Sequence, residues 1–219
     1  MEGSFLSVLV FGFVLGIKHA VEPDHVIAVS TIASKSKNIW RSSLSGVFWG
    51  AGHTATLLVA GIVLLLMKDE IPRMWAMSLE FLVGIMLVYL GTVSLFTYKT
   101  IRPHSHVSDR VRKDSSYIKS VLIGFVHGLA GSAAMVILAM SSVSTVWEGV
   151  IYILIFGAGT VTGMLACTTV IGIPFALSAK HAALNQRLSQ AAGWISVAFG
   201  LFYMYNLGVT EGLFRLWMQ

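Results

Sequence analysis

Charged residues are scarce in this sequence. They make up 11% of its 219 residues, and 56% of the residues are hydrophobic. An ordinary soluble domain has roughly 25% charged residues. The mean hydropathy is +0.79. So few charges cannot cover the surface of a water-soluble fold, and so much hydrophobic sequence excludes disorder. The composition predicts an all-α protein that crosses a membrane several times.

Cysteine is almost absent as well. The single residue Cys167 excludes a disulfide framework, a Cys-x-x-Cys redox pair and a zinc site built from cysteines. The formal net charge is +5, which in a soluble protein would suggest nucleic-acid binding. In a membrane protein such charge is first a signal of topology, so we expect the lipid bilayer as the partner and no nucleic acid.

Six stretches are long and apolar enough to cross a bilayer, which takes about 20 residues of helix. They are 5–33, 44–67, 74–98, 120–140, 149–173 and 191–213. The mixed segment 176–190 suggests an amphipathic helix on the membrane surface. The sequence therefore predicts one transmembrane domain over residues 1–219, with six transmembrane helices.

Basic residues outside these spans predict the orientation. Most of them lie in the segments 34–43, 99–119 and 176–190. The second segment holds Lys99, Arg102, Arg110, Arg112, Lys113 and Lys119. By the positive-inside rule, loop 99–119 is cytoplasmic and both termini are outside. We expect a multi-pass protein of the cytoplasmic (inner) membrane.

The two halves of the chain share a pattern of glycines about 108 residues apart. The paired positions are 16–20 with 124–128, Gly50 with Gly157, Gly84 with Gly193, and Gly91 with Gly200. Three spans per half would make the second half inverted, as in many secondary transporters. The pattern predicts repeat one at about 5–98 and repeat two at about 120–213. Alternatively, the glycines are packing motifs without duplication.

Ionisable residues inside the spans are the strongest functional signal. The first span alone carries Lys18, His19, Glu22, Asp24 and His25. Each costs about 2.5–3.5 kcal/mol to insert, so the group must face a polar cavity or a ligand. Pro23 removes a helical hydrogen bond and forces the preceding residue out of the α region. We therefore predict that the first helix breaks near Pro23, which would let these side chains converge.

Imidazoles with a carboxylate and no thiolate suit Ni²⁺ and Co²⁺. His19, Asp24 and His25 form the core of the predicted metal site, and His53 in the second span is a candidate third imidazole. His127 lies at a similar depth in the fourth span. Glu22 is either a further ligand or a partner of Lys18, four residues away.

Residues His19 to His25 spell H-x-x-x-x-D-H, which resembles the signature of the nickel/cobalt transporter family. Residues 48–54 resemble its second motif, a Gly-His pair followed by a hydroxyl residue. The chain is most similar to the short UreH-type branch, often found beside urease genes. The resemblance implies import of Ni²⁺ or Co²⁺ with His19, Asp24, His25 and His53 essential. Later spans lack the family's acidic residues, and His127 is the candidate for a replacing ligand.

The predicted function is thus a metal permease, not an enzyme, with Ni²⁺ or Co²⁺ as cargo and no catalytic cofactor. A nickel or cobalt exporter is the main alternative. An accessory subunit with an energy-coupling partner is another. The pair His19 and Asp24 also resembles the H-x-x-x-x-D pattern of acyltransferases. The partners considered besides the metal and the bilayer are a second copy of the chain, in a homo-oligomer, and a metallochaperone or other protein of urease maturation.

Overall fold

The computed structural model describes residues 2–36, 38–67, 72–97, 117–130 and 145–219. Every regular element in these ranges is helical, which confirms the all-α prediction. The helices are α1 Glu2–Ala20, α2 Pro23–Ala33, α3 Ile39–Met67, α4 Arg73–Thr97, α5 Tyr117–Ala130, α6 Val146–Leu177, α7 Ala182–Tyr205 and α8 Leu213–Trp217. A π-helical segment, Asn206–Thr210, continues α7.

The helices are long enough to make this a multi-pass membrane protein. Four of them, α3, α4, α6 and α7, can each cross a bilayer, and the last two have short helical extensions to Lys180 and Thr210. Helices α1 and α2 together form a fifth candidate span, bent by 56°. Of the predicted fourth span, 120–140, the structure describes the residues up to 130, and the remainder lies outside the described residues. The count of six spans therefore remains a prediction.

The predicted break in the first helix is present at Val21 and Glu22. Glu22 is extended, with φ −63° and ψ 149°, and stands at the N-cap position of α2, where its side chain makes no capping hydrogen bond. Pro23 follows in the first turn, where its missing N–H would have had no helical partner. The proline thus ends α1 and begins α2 at little cost to α2 itself.

Helices α3 and α6 run antiparallel through the middle of the bundle. Gly50 packs against Val161, and one turn further along α3 Thr54 packs against Gly157. Helix α1 lies on α6, α5 lies on α3, and α4 pairs with α7. Helix α2 contacts α4, α6 and α7. Small residues at these contacts let the helix backbones approach closely.

The close contacts occur in reciprocal pairs. A Cβ added to Gly16 would overlap the carbonyl oxygen of Phe156, and one added to Gly124 would overlap that of Trp49. The internal alignment relates residue 16 to 124 and residue 49 to 156. Two further contacts are reciprocal in the same way, Gly84 with Gly200 and Gly91 with Gly193. Each half therefore uses matching positions to contact the other.

The prediction of a surface helix at 176–190 is wrong. Helix α6 continues to Leu177, and after one 3₁₀ turn α7 begins at Ala182 rather than at residue 191. Asn185 is buried, and its amide donates to the carbonyl oxygen of Phe175 (3.0 Å) and the hydroxyl of Ser178 (2.9 Å). Two of the polar side chains in this segment, Ser178 and Asn185, instead stabilise the turn between two spans.

Candidate metal site

Four imidazoles and one carboxylate meet at the break between α1 and α2. His19 is near the end of α1, Asp24 and His25 begin α2, and α3 and α5 supply His53 and His127. His19 is 5% exposed, and the other three histidines are 1% exposed. The structure therefore brings together all five residues that the sequence singled out, although His19 and His127 are 108 positions apart.

The carboxylate of Asp24 joins two of the histidines. His127 Nε2 donates to Oδ2 (2.8 Å), and His25 Nδ1 donates to Oδ1 (3.2 Å). On the other side of the cluster, His19 Nε2 and His53 Nε2 are 3.2 Å apart. Two ring nitrogens this close need a proton or a cation between them, because otherwise two lone pairs would face each other.

Several ring nitrogens in the cluster are buried and unused. His25 Nε2, His53 Nδ1 and His127 Nδ1 have no hydrogen-bond partner in the part of the chain that the structure describes. Native proteins rarely leave buried polar atoms unsatisfied, and such atoms call for a functional explanation. A bound cation supplies one, since neutral imidazole coordinates through either nitrogen.

Glu22 lies beside the cluster rather than within it. Its Oε2 accepts a hydrogen bond from His19 Nδ1 (2.8 Å), and its side chain is 42% exposed. A carboxylate that holds one nitrogen of a histidine fixes the tautomer and directs the other nitrogen to a metal. Here that other nitrogen, Nε2, faces His53. The geometry suits Glu22 to orient His19.

Two aromatic side chains that sequence reasoning missed enclose the cluster. The Trp49 ring stacks over His25, with centroids 6.0 Å apart, and lies 5.6 Å from the His127 ring. Phe156 lies 5.6 Å from His19, and both aromatic residues are 1% exposed. The sequence did contain evidence for their position. Trp49 precedes His53 by one helical turn and so lies on the same helix face, and the internal alignment relates Trp49 to Phe156.

The fold and the site define a class: multi-pass membrane proteins with a buried histidine–carboxylate cluster between their helices. The sequence profile of the family described as "Cytochrome C biogenesis protein transmembrane region" matches residues 71–202. The urease accessory protein UreH of Bacillus sp. (strain TB-90) is 58% identical over 222 residues, covering 98% of this chain and 97% of that protein. The chain therefore belongs to this transmembrane family, and its similarity to UreH confirms the UreH-type branch that its motifs predicted.

More distant relatives cover most of the chain too. The chloroplast protein FOR GROWTH AND FERTILITY 2 of Arabidopsis thaliana is 28% identical over 204 residues, covering 87% of this chain and 54% of that protein. A Methanocaldococcus jannaschii protein, provisionally named a nickel/cobalt efflux system, is 24% identical over 200 residues, covering 87% and 88%. None of these names describes an enzyme, in agreement with the prediction for this chain. No solved structure matches.

Proposed function

We propose that this protein transports Ni²⁺ across the cytoplasmic membrane and that it accepts Co²⁺ as an alternative substrate. The cargo is held by His19, Asp24, His25, His53 and His127. The observation that carries the proposal is the convergence of these buried side chains at a helix break inside a membrane bundle. Imidazole and carboxylate ligands without thiolate suit these two metals, and broken helices form the binding sites of many transporters.

The direction we propose is import. The name of the relative at 58% identity connects it with urease, which fits delivery of metal to the inside of the cell. The basic loop charges favour a cytoplasmic loop 99–119 and both termini outside. The sequence has no G-x-x-x-x-G-K-[ST] nucleotide-binding loop, so the membrane potential is the proposed driving force.

Transport in this proposal uses two inverted three-helix repeats, which rock against each other and open the site to each side in turn. The reciprocal contacts support this arrangement. Gly16 meets Phe156 as Gly124 meets Trp49, so a rotation that exchanges the halves would exchange these contacts as well. Chance packing of small residues would not be expected to repeat the same pairs.

Export is the second candidate, because the relative named as a nickel/cobalt efflux system aligns with 87% of this chain. The same cluster would bind the metal in either direction. The two candidates therefore differ in the sign of the change in cellular nickel, and not in the residues required.

The test is accumulation of radioactive nickel by cells that express this chain, compared with cells carrying an empty vector. The site variant is His19→Ala, and the control is His181→Ala, which removes an exposed histidine at the start of α7. An importer raises accumulation, the site variant abolishes the rise, and the control retains it. Accumulation below that of empty cells would establish export, and no difference at all would refute a self-sufficient permease.

A further inference from the structure

The cluster divides into two groups of three ligands that share one histidine. His19, His25 and His53 form the first group, and Asp24, His25 and His127 form the second. Within each group, one ligand atom from every residue lies within 4.8 Å of the others. Among the residues that the structure describes, no four ligands satisfy this limit together.

A single ion cannot engage both groups in this arrangement. Bonds from imidazole to such metals are about 2.1 Å long, so two ligands of one ion are at most about 4.2 Å apart. Each group of three needs only a small contraction to reach that distance. The complete set of five does not lie within that distance in the observed arrangement.

His25 is suited to serve both groups. Its Nδ1 faces Asp24, the carboxylate of the second group, at 3.2 Å. Its Nε2 is buried without a partner in the described ranges and is therefore available to the first group. Because imidazole coordinates through either nitrogen, the same side chain is a ligand in both positions.

The two groups lie beside different aromatic rings. The first lies beside Phe156, which contacts His19, and the second lies beside Trp49, which contacts His127. Trp49 lies one turn before His53 on α3, and Phe156 lies on the antiparallel helix α6, level with the residues just after His53. The two rings therefore stand on opposite sides of the cluster along the bundle axis.

We propose that the protein has two successive metal positions, and that the transported ion passes between them on the shared ligand His25. This inference rests on the proposed function, since it describes how the same cargo crosses the same cluster. The first position is made of three imidazoles. The second includes the carboxylate of Asp24 as a ligand, whereas the Glu22 carboxylate beside the first position contacts only the ligand His19.

The experiment measures Ni²⁺ binding to the purified full-length protein in lipid nanodiscs, with X-ray absorption to count imidazole ligands. His127→Ala disables the second position and should keep one Ni²⁺ bound by three imidazoles. His53→Ala disables the first and should keep one Ni²⁺ bound by two imidazoles and a carboxylate. His25→Ala should lose both, as should His25→Asn, which better preserves side-chain volume. His181→Ala is the control and should bind as the wild type does.

The outcomes separate this inference from the proposed function. If His53→Ala and His127→Ala each abolish binding as completely as the His25 variants, the cluster is one joint site and the two-position proposal is wrong. If His25→Asn keeps a bound ion while remaining folded by thermal melting, the shared ligand is refuted. If the wild type itself binds no Ni²⁺, the proposed cargo is wrong, and with it this inference.

Discussion

Replacing Gly128 by alanine should weaken nickel binding without removing any ligand. A Cβ at this position would lie 2.6 Å from the carbonyl oxygen of His53, and ordinary contact begins at 3.4 Å. Helix α5 would therefore move away from α3 by about 0.8 Å, whereas ligand distances in a metal site hold to about 0.2 Å. Because Gly128 follows His127 directly, we expect the Ni²⁺ affinity of the position that includes His127 to fall by about 10- to 100-fold, the range for disturbing groups that orient ligands.

The control for this prediction is Gly193→Ala, at the contact between α4 and α7. There an added Cβ would lie 2.9 Å from Leu95 and 3.0 Å from the carbonyl oxygen of Gly91. Both variants should lose stability through overpacking, by about 1–3 kcal/mol. Only Gly128→Ala should lose Ni²⁺ affinity, measured by titration calorimetry on the purified protein. Equal, wild-type affinity in both variants would show that the spacing of α3 and α5 does not control the site.

Three further predictions follow from the structure. Glu22→Gln should lower Ni²⁺ affinity by about tenfold, because it weakens the acceptor that orients His19; wild-type affinity in this variant would remove Glu22 from the site. Cys167→Ser should transport nickel as the wild type does, since this partly buried residue belongs to neither ligand group. For the same reason, a thiol reagent should have the same effect on transport by the variant as on transport by the wild type. Collapsing the membrane potential should slow uptake, because inward movement of two charges is favoured by about 4.6 kcal/mol at 100 mV; undiminished uptake in cells treated with valinomycin in a medium whose potassium concentration matches that of the cytoplasm would contradict this driving force.

The helical break and the candidate ligands could be predicted because their causes are local. The cost of placing five ionisable residues in one span marks that span as functional before any contact is known. Pro23 acts on its own backbone and on Glu22, so the break follows from two adjacent residues. His127 was found by the same cost argument, applied to a single residue in an apolar span.

Long-range contacts could not be predicted in this way. Nothing in the local sequence shows that His127 donates to Asp24, 103 positions away. The start of α7 was misjudged because Asn185 looks like a surface residue until its contact with the Phe175 carbonyl is known. Likewise, Glu22 could be a ligand or an orienting group from sequence alone, and only its position relative to His19 favours the second role.

The distribution of the ligands along the chain has a mechanical consequence. Four of the five belong to α1, α2 and α3, and only His127 comes from the second half. An ion held by His19, His25 and His53 would cross-link helices of the first half only. An ion held by Asp24, His25 and His127 would cross-link α2 to α5 and so tie the two halves together. The position of the ion would then determine whether the halves are free to separate.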